Sequence, residues 1–327
     1  MVKTRSIRFF LLTFVVLVIA VSSISCLAID SSTQVPLDQI NENTDSPTEN
    51  PISVPRSSLE SDIISPGSPV SSPQATLESN SIPPGNPVSS PNPSIESDII
   101  PLDVVWEMLG QVNQDLALND LRQLTGEEPI CLSYGCFTIT HRLTGSEGLD
   151  WAQDYLYENL VDMGYDVEFH NWSVPGLADQ NLIARKEGVL DPTEEVYFVS
   201  HVDGVRTYEN NFPAADDNAS SVVNGLELAR ILNNYEFERT LVLFFSSGEE
   251  QGAKGVKEYL KHLSAEELDA IEYVVNRDMT GYDGNDDRVM ELFHGDHPPS
   301  IALTQMMSEI IGVYQLDLVP KVVKGCP

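Results

Sequence analysis

Basic side chains are scarce. The chain has 18 Lys and Arg against 50 Asp and Glu, a formal net charge of −32 at pH 7. Removing residues 1–28, which hold Lys3, Arg5 and Arg8 and no acid, leaves −35. Such a surface repels nucleic acid and anionic membranes, which excludes nucleic acid as a partner. The charge serves solubility or attracts cationic peptide amino groups. Cysteine is limited to Cys26, Cys131, Cys136 and Cys326. In an exported chain, Cys131 and Cys136 either close a small loop as a disulfide or stay thiols, and Cys326 has no evident partner. Long apolar runs are few, and the one that stands out covers residues 9–21.

That run follows Lys3, Arg5 and Arg8 and precedes small residues up to Ala28, the order of parts in an export signal. Residues 1–28 read as a signal peptide cleaved after Ala28. The alternatives are an uncleaved anchor running through Ile29 and a chain lipidated at Cys26. A secreted or membrane-anchored protein is expected. Residues 29–102 are rich in Pro, Ser, Asn and Asp and poor in aromatics. They repeat with a period of 18 residues: PGSPVSSP at 66–73 returns as PGNPVSSP at 84–91. Too few apolar residues are present for a solenoid, so this is a duplicated linker, either an envelope tether or a removable propeptide.

Residues 103–327 read as one globular domain of alternating strands and helices. Helices are expected at 104–124, from Ser146 to Met163, and at 220–233, 254–263 and 300–312. Another opens with a capping box at Ser264. Strands are expected at 166–172, 181–185, 195–200, 240–245, 271–276 and 289–293. The continuous apolar run at 240–245 marks a strand buried on both faces. The fold class is α/β, a mixed, mostly parallel sheet with helices on both faces. Ligands in such sheets gather at the carboxyl ends of strands, where His201, Glu249, Glu250 and Asp278 all fall.

His201 and Asp203 lie on one side of an extended chain. They are an ordinary polar strand end, or a metal ligand whose other ring nitrogen gives its proton to Asp203. Asp216-Asp217-Asn218 either caps a helix or supplies Asp216 as a carboxylate bridging two cations. Glu249-Glu250 is a charged turn, or a ligand beside a proton carrier, and burial near Phe244 and Phe245 makes two like charges costly without a cation. Asp278 is a further ligand or an ion-pair partner of Arg277. One imidazole with several carboxylates suits zinc.

In order and setting, SHVD at 200–203, ADDNAS at 215–220, SGEEQG at 247–252 and RDMTG at 277–281 resemble the secreted di-zinc aminopeptidases of the leucine-aminopeptidase and aminopeptidase Y type. The resemblance runs from about Val104 to the end of the chain. It implies a zinc-peptidase (phosphorylase/hydrolase-like) fold and peptide substrates with a free N-terminus, from which one residue is removed at a time. It implies two Zn2+ ions: His201, Asp216 and Asp278 hold one, Asp216 bridges, and Glu250 holds the second. It implies that Glu249 is the general base and Asp203 the outer partner of His201.

The family takes a second zinc-binding histidine from a Ser/Thr-Asp-His segment near its C-terminus, which is missing here. The expectation is a truncated domain, lacking the last strand and helices, with an incomplete second zinc site and impaired activity. His294 and His297 read as surface residues. Asn171-Trp-Ser173 matches a glycosylation pattern, and Asn218-Ala-Ser220 matches it inside the metal site. Competing readings are a carboxypeptidase or glutaminyl-cyclase-like enzyme on the same fold, and a non-catalytic surface binding protein.

Overall fold

The computed structural model describes residues 102–205 and 212–325. The signal reading of 1–28 and the linker reading of 29–102 lie outside these residues, save Leu102, as do Cys26 and Cys326. No helix among the described residues is long and apolar enough to cross a membrane.

Two helices open the domain, α1 (Leu102–Leu109) and α2 (Gln114–Thr125). A single helix over 104–124 was the expectation. The chain breaks at 110–113 because Asn113 leaves the helix and caps the next, accepting from the Leu116 N–H at 3.2 Å. A short hairpin follows, β1 (Ile130–Leu132) and β2 (Gly135–Phe137), which sequence periodicity did not reveal. Cys131 faces Cys136 across it, and the two form a disulfide. Helix α3 (Glu147–Asp162) starts at Ser146, whose hydroxyl accepts from Leu149.

Five strands then build the main sheet: β3 (Asp166–Val174), β4 (Leu177–Lys186), β5 (Asp191–His201), β6 (Arg239–Ser246) and β7 (Ile271–Asn276). Their spatial order is β3-β4-β6-β5-β7. β3 with β4 and β4 with β6 run antiparallel, while β5 runs parallel to both β6 and β7. The sheet is therefore mixed. β6 is central and buried along its whole length, as its apolar run requires.

Alternation along the strands sorts side chains to two faces. Leu182, Ala184, Val196, Phe198, Leu241, Leu243 and Phe245 enter the larger core, with Leu149, Leu156 and Leu160 of α3 and Val222, Leu226 and Ala229 of α4 (Ser221–Leu232). Ile183, Tyr197, Val242 and Phe244 point to the other face, where they meet Tyr259 of α5 (Lys254–His262). Helix α6 (Ala265–Ala270) begins with the expected capping box between Ser264 and Glu267. A second parallel pair, β8 (Val289–His294) with β9 (Val319–Lys324), packs with α7 (Pro298–Val313). Strand β9 is short, contains Pro320 and two lysines, and has no clear alternation, so the sequence reading passed over it.

Candidate metal centre

Parallel pairing places the ends of β5 and β6 side by side, His201 opposite Ser246. The chain leaving β5 carries His201, Val202 and Asp203 inward, and all three are buried. The His201 ring Nδ1 lies 3.0 Å from the Asp203 backbone carbonyl, which can only accept, so Nδ1 carries the proton. Nε2 is then free to face a cation. The Asp203 carboxylate sits farther from the ring, 3.7 Å from Nδ1. Asp203 thus partners His201 chiefly through its main chain, while its carboxylate has other work. Its Oδ1 accepts from the Glu249 N–H at 3.2 Å and its Oδ2 from the Glu250 N–H at 3.3 Å and the Thr144 hydroxyl at 3.1 Å. One buried carboxylate therefore ties the turn after β6 to the end of β5.

A buried polar set holds the same turn from the other side. Trp172 Nε1 donates to Ser247 Oγ at 2.9 Å, and the Ser247 N–H donates to Asn181 Oδ1 at 3.0 Å. Gly248 has φ +70°, and a Cβ there would lie 2.7 Å from the Trp172 ring, so glycine is required.

Across the site, His201 Nε2 lies 3.2 Å from Asp217 Oδ1 and 3.5 Å from Asp278 Oδ1. His201, Asp217 and Asp278 each offer one ligand atom, all within 4.8 Å of one another, and they form the one such group among the described residues. Asp217, not Asp216, occupies this position. The backbone explains the exchange. Between Ala215 and Ser220 the chain is irregular, with Asp217 at φ −102°, ψ 91°, well away from helical values. Asp216 instead turns to the loop after β7, where its Oδ1 accepts from the Gly281 N–H at 2.8 Å. Ser220 Oγ donates to the Asp216 carbonyl at 2.7 Å.

Asp278 is itself held by a residue that the sequence offers only as a helix cap or as part of a glycosylation pattern. Asn218 is fully buried. Its Nδ2 donates to the Arg277 carbonyl at 3.2 Å and its Oδ1 accepts from the Met279 N–H at 3.2 Å, bracketing Asp278 on both sides. Ser220 Oγ accepts from the Thr280 N–H at 3.1 Å. The Arg277 guanidinium lies over the Phe198 ring, 4.5 Å from its centroid.

The electrostatics suit a bound cation. Burial opposes a charge on His201, but Asp217 and Asp278 outweigh it and carry its pKa up to about 10. The bond with His201 holds the Asp217 carboxyl below its usual value, against burial. Burial pushes the Glu249, Asp216 and Asp203 carboxyls up. Burial first, then Asp217, pushes Glu250 up to about 7. Glu250 Oε1 is a buried oxygen without a hydrogen-bond donor, and Asp217 Oδ1 has none beyond the His201 ring. Such atoms are costly unless something positive meets them. A hard or borderline dication fits this donor set of one imidazole nitrogen and carboxylate oxygens. His294 and His297 do not join the group. His294 Nδ1 engages the Gly295 carbonyl, and His297 stands at the N-cap position of α7 without a side-chain capping bond.

Residues 181–318 match the model of Peptidase family M28. A probable zinc metalloprotease of Pyrenophora tritici-repentis is 33% identical over 105 residues, covering 31% of this chain and 22% of that protein. Aminopeptidase YwaD of Bacillus subtilis is 33% identical over 103 residues, covering 31% of this chain and 24% of that protein. The chain spans about a fifth to a third of the length of such curated relatives. The LapA aminopeptidase of Legionella pneumophila shares the fold with TM-score 0.53 and 19% identity, over 75% of this chain and 62% of that one. The match, the strand-end site and the shared fold agree: residues 181–318 of this chain are similar to Peptidase family M28.

Proposed function

We propose that this chain is a zinc-dependent exopeptidase that releases N-terminal residues from peptides. The observation that carries the reading is the convergence of His201 Nε2, Asp217 and Asp278 within 4.8 Å, beside the buried Glu250 Oε1, which has no donor. Relatives named zinc metalloprotease and aminopeptidase support it. His201, Asp217 and Asp278 would hold one zinc, and Glu250 with Asp217 a second. When bound, zinc supplies Lewis-acid polarisation of the scissile carbonyl and makes water a nucleophile near neutral pH.

The protein's own groups supply the rest. Glu249 takes a proton from the attacking water and passes it to the leaving amine, work suited to a carboxyl whose pKa burial has raised. The Asp203 carboxylate fixes the Glu249 and Glu250 main chain, so the base keeps its place during the transfer. The surplus of carboxylates around the site favours a cationic peptide terminus over a blocked one. Secretion belongs to the same reading. It is supported by the signal-like order of residues 1–28 and by the Cys131–Cys136 disulfide, which suits an oxidising compartment.

The test combines metal analysis with hydrolysis of matched peptides whose N-termini are free or acetylated. Zinc in the purified protein, loss of activity on chelation, recovery on zinc addition and preference for free N-termini are expected. A zinc-loaded protein that cleaves neither peptide contradicts the proposal.

A further inference from the structure

One buried cation links the two halves of the site. Arg142 is 1% exposed. Its Nε donates to the Val202 carbonyl at 2.8 Å. Nη1 donates to the carbonyls of Leu124 at 2.6 Å and Pro213 at 2.8 Å, and Nη2 to Ala214 at 2.8 Å. Val202 lies between His201 and Asp203, and Ala214 comes three residues before Asp217. The guanidinium thus binds the main chain on both sides of the His201–Asp217 contact.

The backbone around Arg142 does the same. The Gly204 N–H donates to the Arg142 carbonyl at 2.8 Å, and the Phe212 N–H donates to the Thr140 carbonyl at 2.9 Å. This strip is itself fixed from behind: a Cβ at Gly148 would lie 2.1 Å from the His141 carbonyl oxygen, so α3 presses directly on it. A planar fork with donors in several in-plane directions can reach three separate segments at once. An ammonium has three donors grouped at one point on a flexible stem, too few and too close together for the four carbonyls bonded here.

We propose that Arg142 is a positioning residue of the metal centre: by bridging the segments 202–204 and 213–214 it sets the separation of His201 and Asp217, and so the affinity for the cation they share. The inference rests on the zinc reading above. It extends that reading to a residue that touches neither metal nor substrate. It requires the shape of the guanidinium as well as its charge.

The test titrates metal-free wild type, Arg142→Lys and Arg142→Gln with zinc against a chromophoric chelator, at a temperature where circular dichroism shows each protein folded. Both variants are expected to bind zinc roughly 10- to 100-fold more weakly, the range for lost outer partners of metal ligands, with lysine no better than glutamine. Asp120→Asn serves as a control. It weakens a buried network with Tyr155 and Arg230 that contacts none of the site residues, so it should lower the melting temperature and leave zinc affinity unchanged. Wild-type zinc affinity in either Arg142 variant overturns the proposal. So does full recovery by lysine, which would leave charge alone as the cause, or an equal affinity loss in Asp120→Asn. Variants unfolded without metal make Arg142 a fold residue and overturn it too. Failure of the wild type to bind zinc strikes the zinc reading instead and is read separately from the variants.

Discussion

The two halves of the site are held by different means. His201, Asp203, Glu249 and Glu250 leave neighbouring parallel strands, where the β5–β6 ladder sets their spacing and the Val202 N–H still bonds the Ser246 carbonyl at 2.8 Å. Asp217 instead comes from irregular chain, and it meets Asp278 just past the end of β7. Asn218, Ser220 and Asp216 hold that half by side-chain bonds to residues 277–281. A ladder spreads its load over many backbone bonds, whereas the second half depends on a few buried side chains. Single substitutions should therefore disturb the Asp217–Asp278 half more than the strand-end half, unless they remove the chemistry itself.

The largest effect expected is chemical. Glu249→Ala should lower hydrolysis on the order of 100- to 10,000-fold, as for loss of a general base, while zinc content stays at the wild-type level. Parallel turnover and metal measurements check this, and loss of the metal would move Glu249 from base to ligand. Next comes Asn218→Ala. It leaves the Arg277 carbonyl and the Met279 N–H without their partner in a buried place, at about 1–3 kcal/mol for each group left unsatisfied. Denaturant unfolding should show that loss, and zinc affinity should fall with it as Asp278 loosens.

The halves also differ in pH response, with signs that can be worked out. His201 has a folded pKa raised to about 10, so without metal its contribution is complete below its ordinary 6.5 and disappears as pH rises toward 10. Asp217 is lowered, so its contribution is present above its ordinary 3.8 and is lost as pH falls. Glu250 is raised to about 7, so its ionisation costs stability as pH climbs from its ordinary 4.5 past 7. Metal-free protein should therefore melt lower at pH 9 than at pH 6. Zinc requires the imidazole and carboxylates deprotonated, so the stabilisation it adds should grow over the same interval. Thermal melts with zinc and with chelator measure both, and a zinc effect that does not change with pH would speak against this assignment of protons.

The smallest effect belongs to the strand-end half. Thr144→Ala removes one of several donors to Asp203 and should cost about 0.5–1.5 kcal/mol, with zinc affinity close to wild type. An affinity loss equal to that of Asn218→Ala would erase the contrast between the halves.

The same contrast explains what the sequence made legible. The β6 run Leu241–Phe245 and the alternation of its neighbours signal strands directly, and strand ends carry His201, Glu249, Glu250 and Asp278 without further argument. The choice between Asp216 and Asp217 has no such signal. Both are aspartates ahead of a helix, and the selection depends on backbone angles between Ala215 and Ser220 that follow from tertiary bonds. Asn218 looked like a capping residue and Ser220 like the first residue of a helix because their partners, Arg277 to Thr280, are about 60 positions away. Arg142 gave no periodic signal, and its only hint was a lone cation ahead of the helix start at Ser146 in a chain poor in basic residues. The hairpin β1–β2, three residues a strand, was too short for alternation to show, although its paired cysteines marked the place.

The most direct test of the central claim compares Asp217→Ala with Asp216→Ala by zinc titration of the metal-free proteins. The account predicts that Asp217→Ala loses zinc far beyond the roughly 10-fold weakening expected of its outer neighbour in Asp216→Ala. Tight zinc binding by Asp217→Ala, with loss in Asp216→Ala, would contradict it.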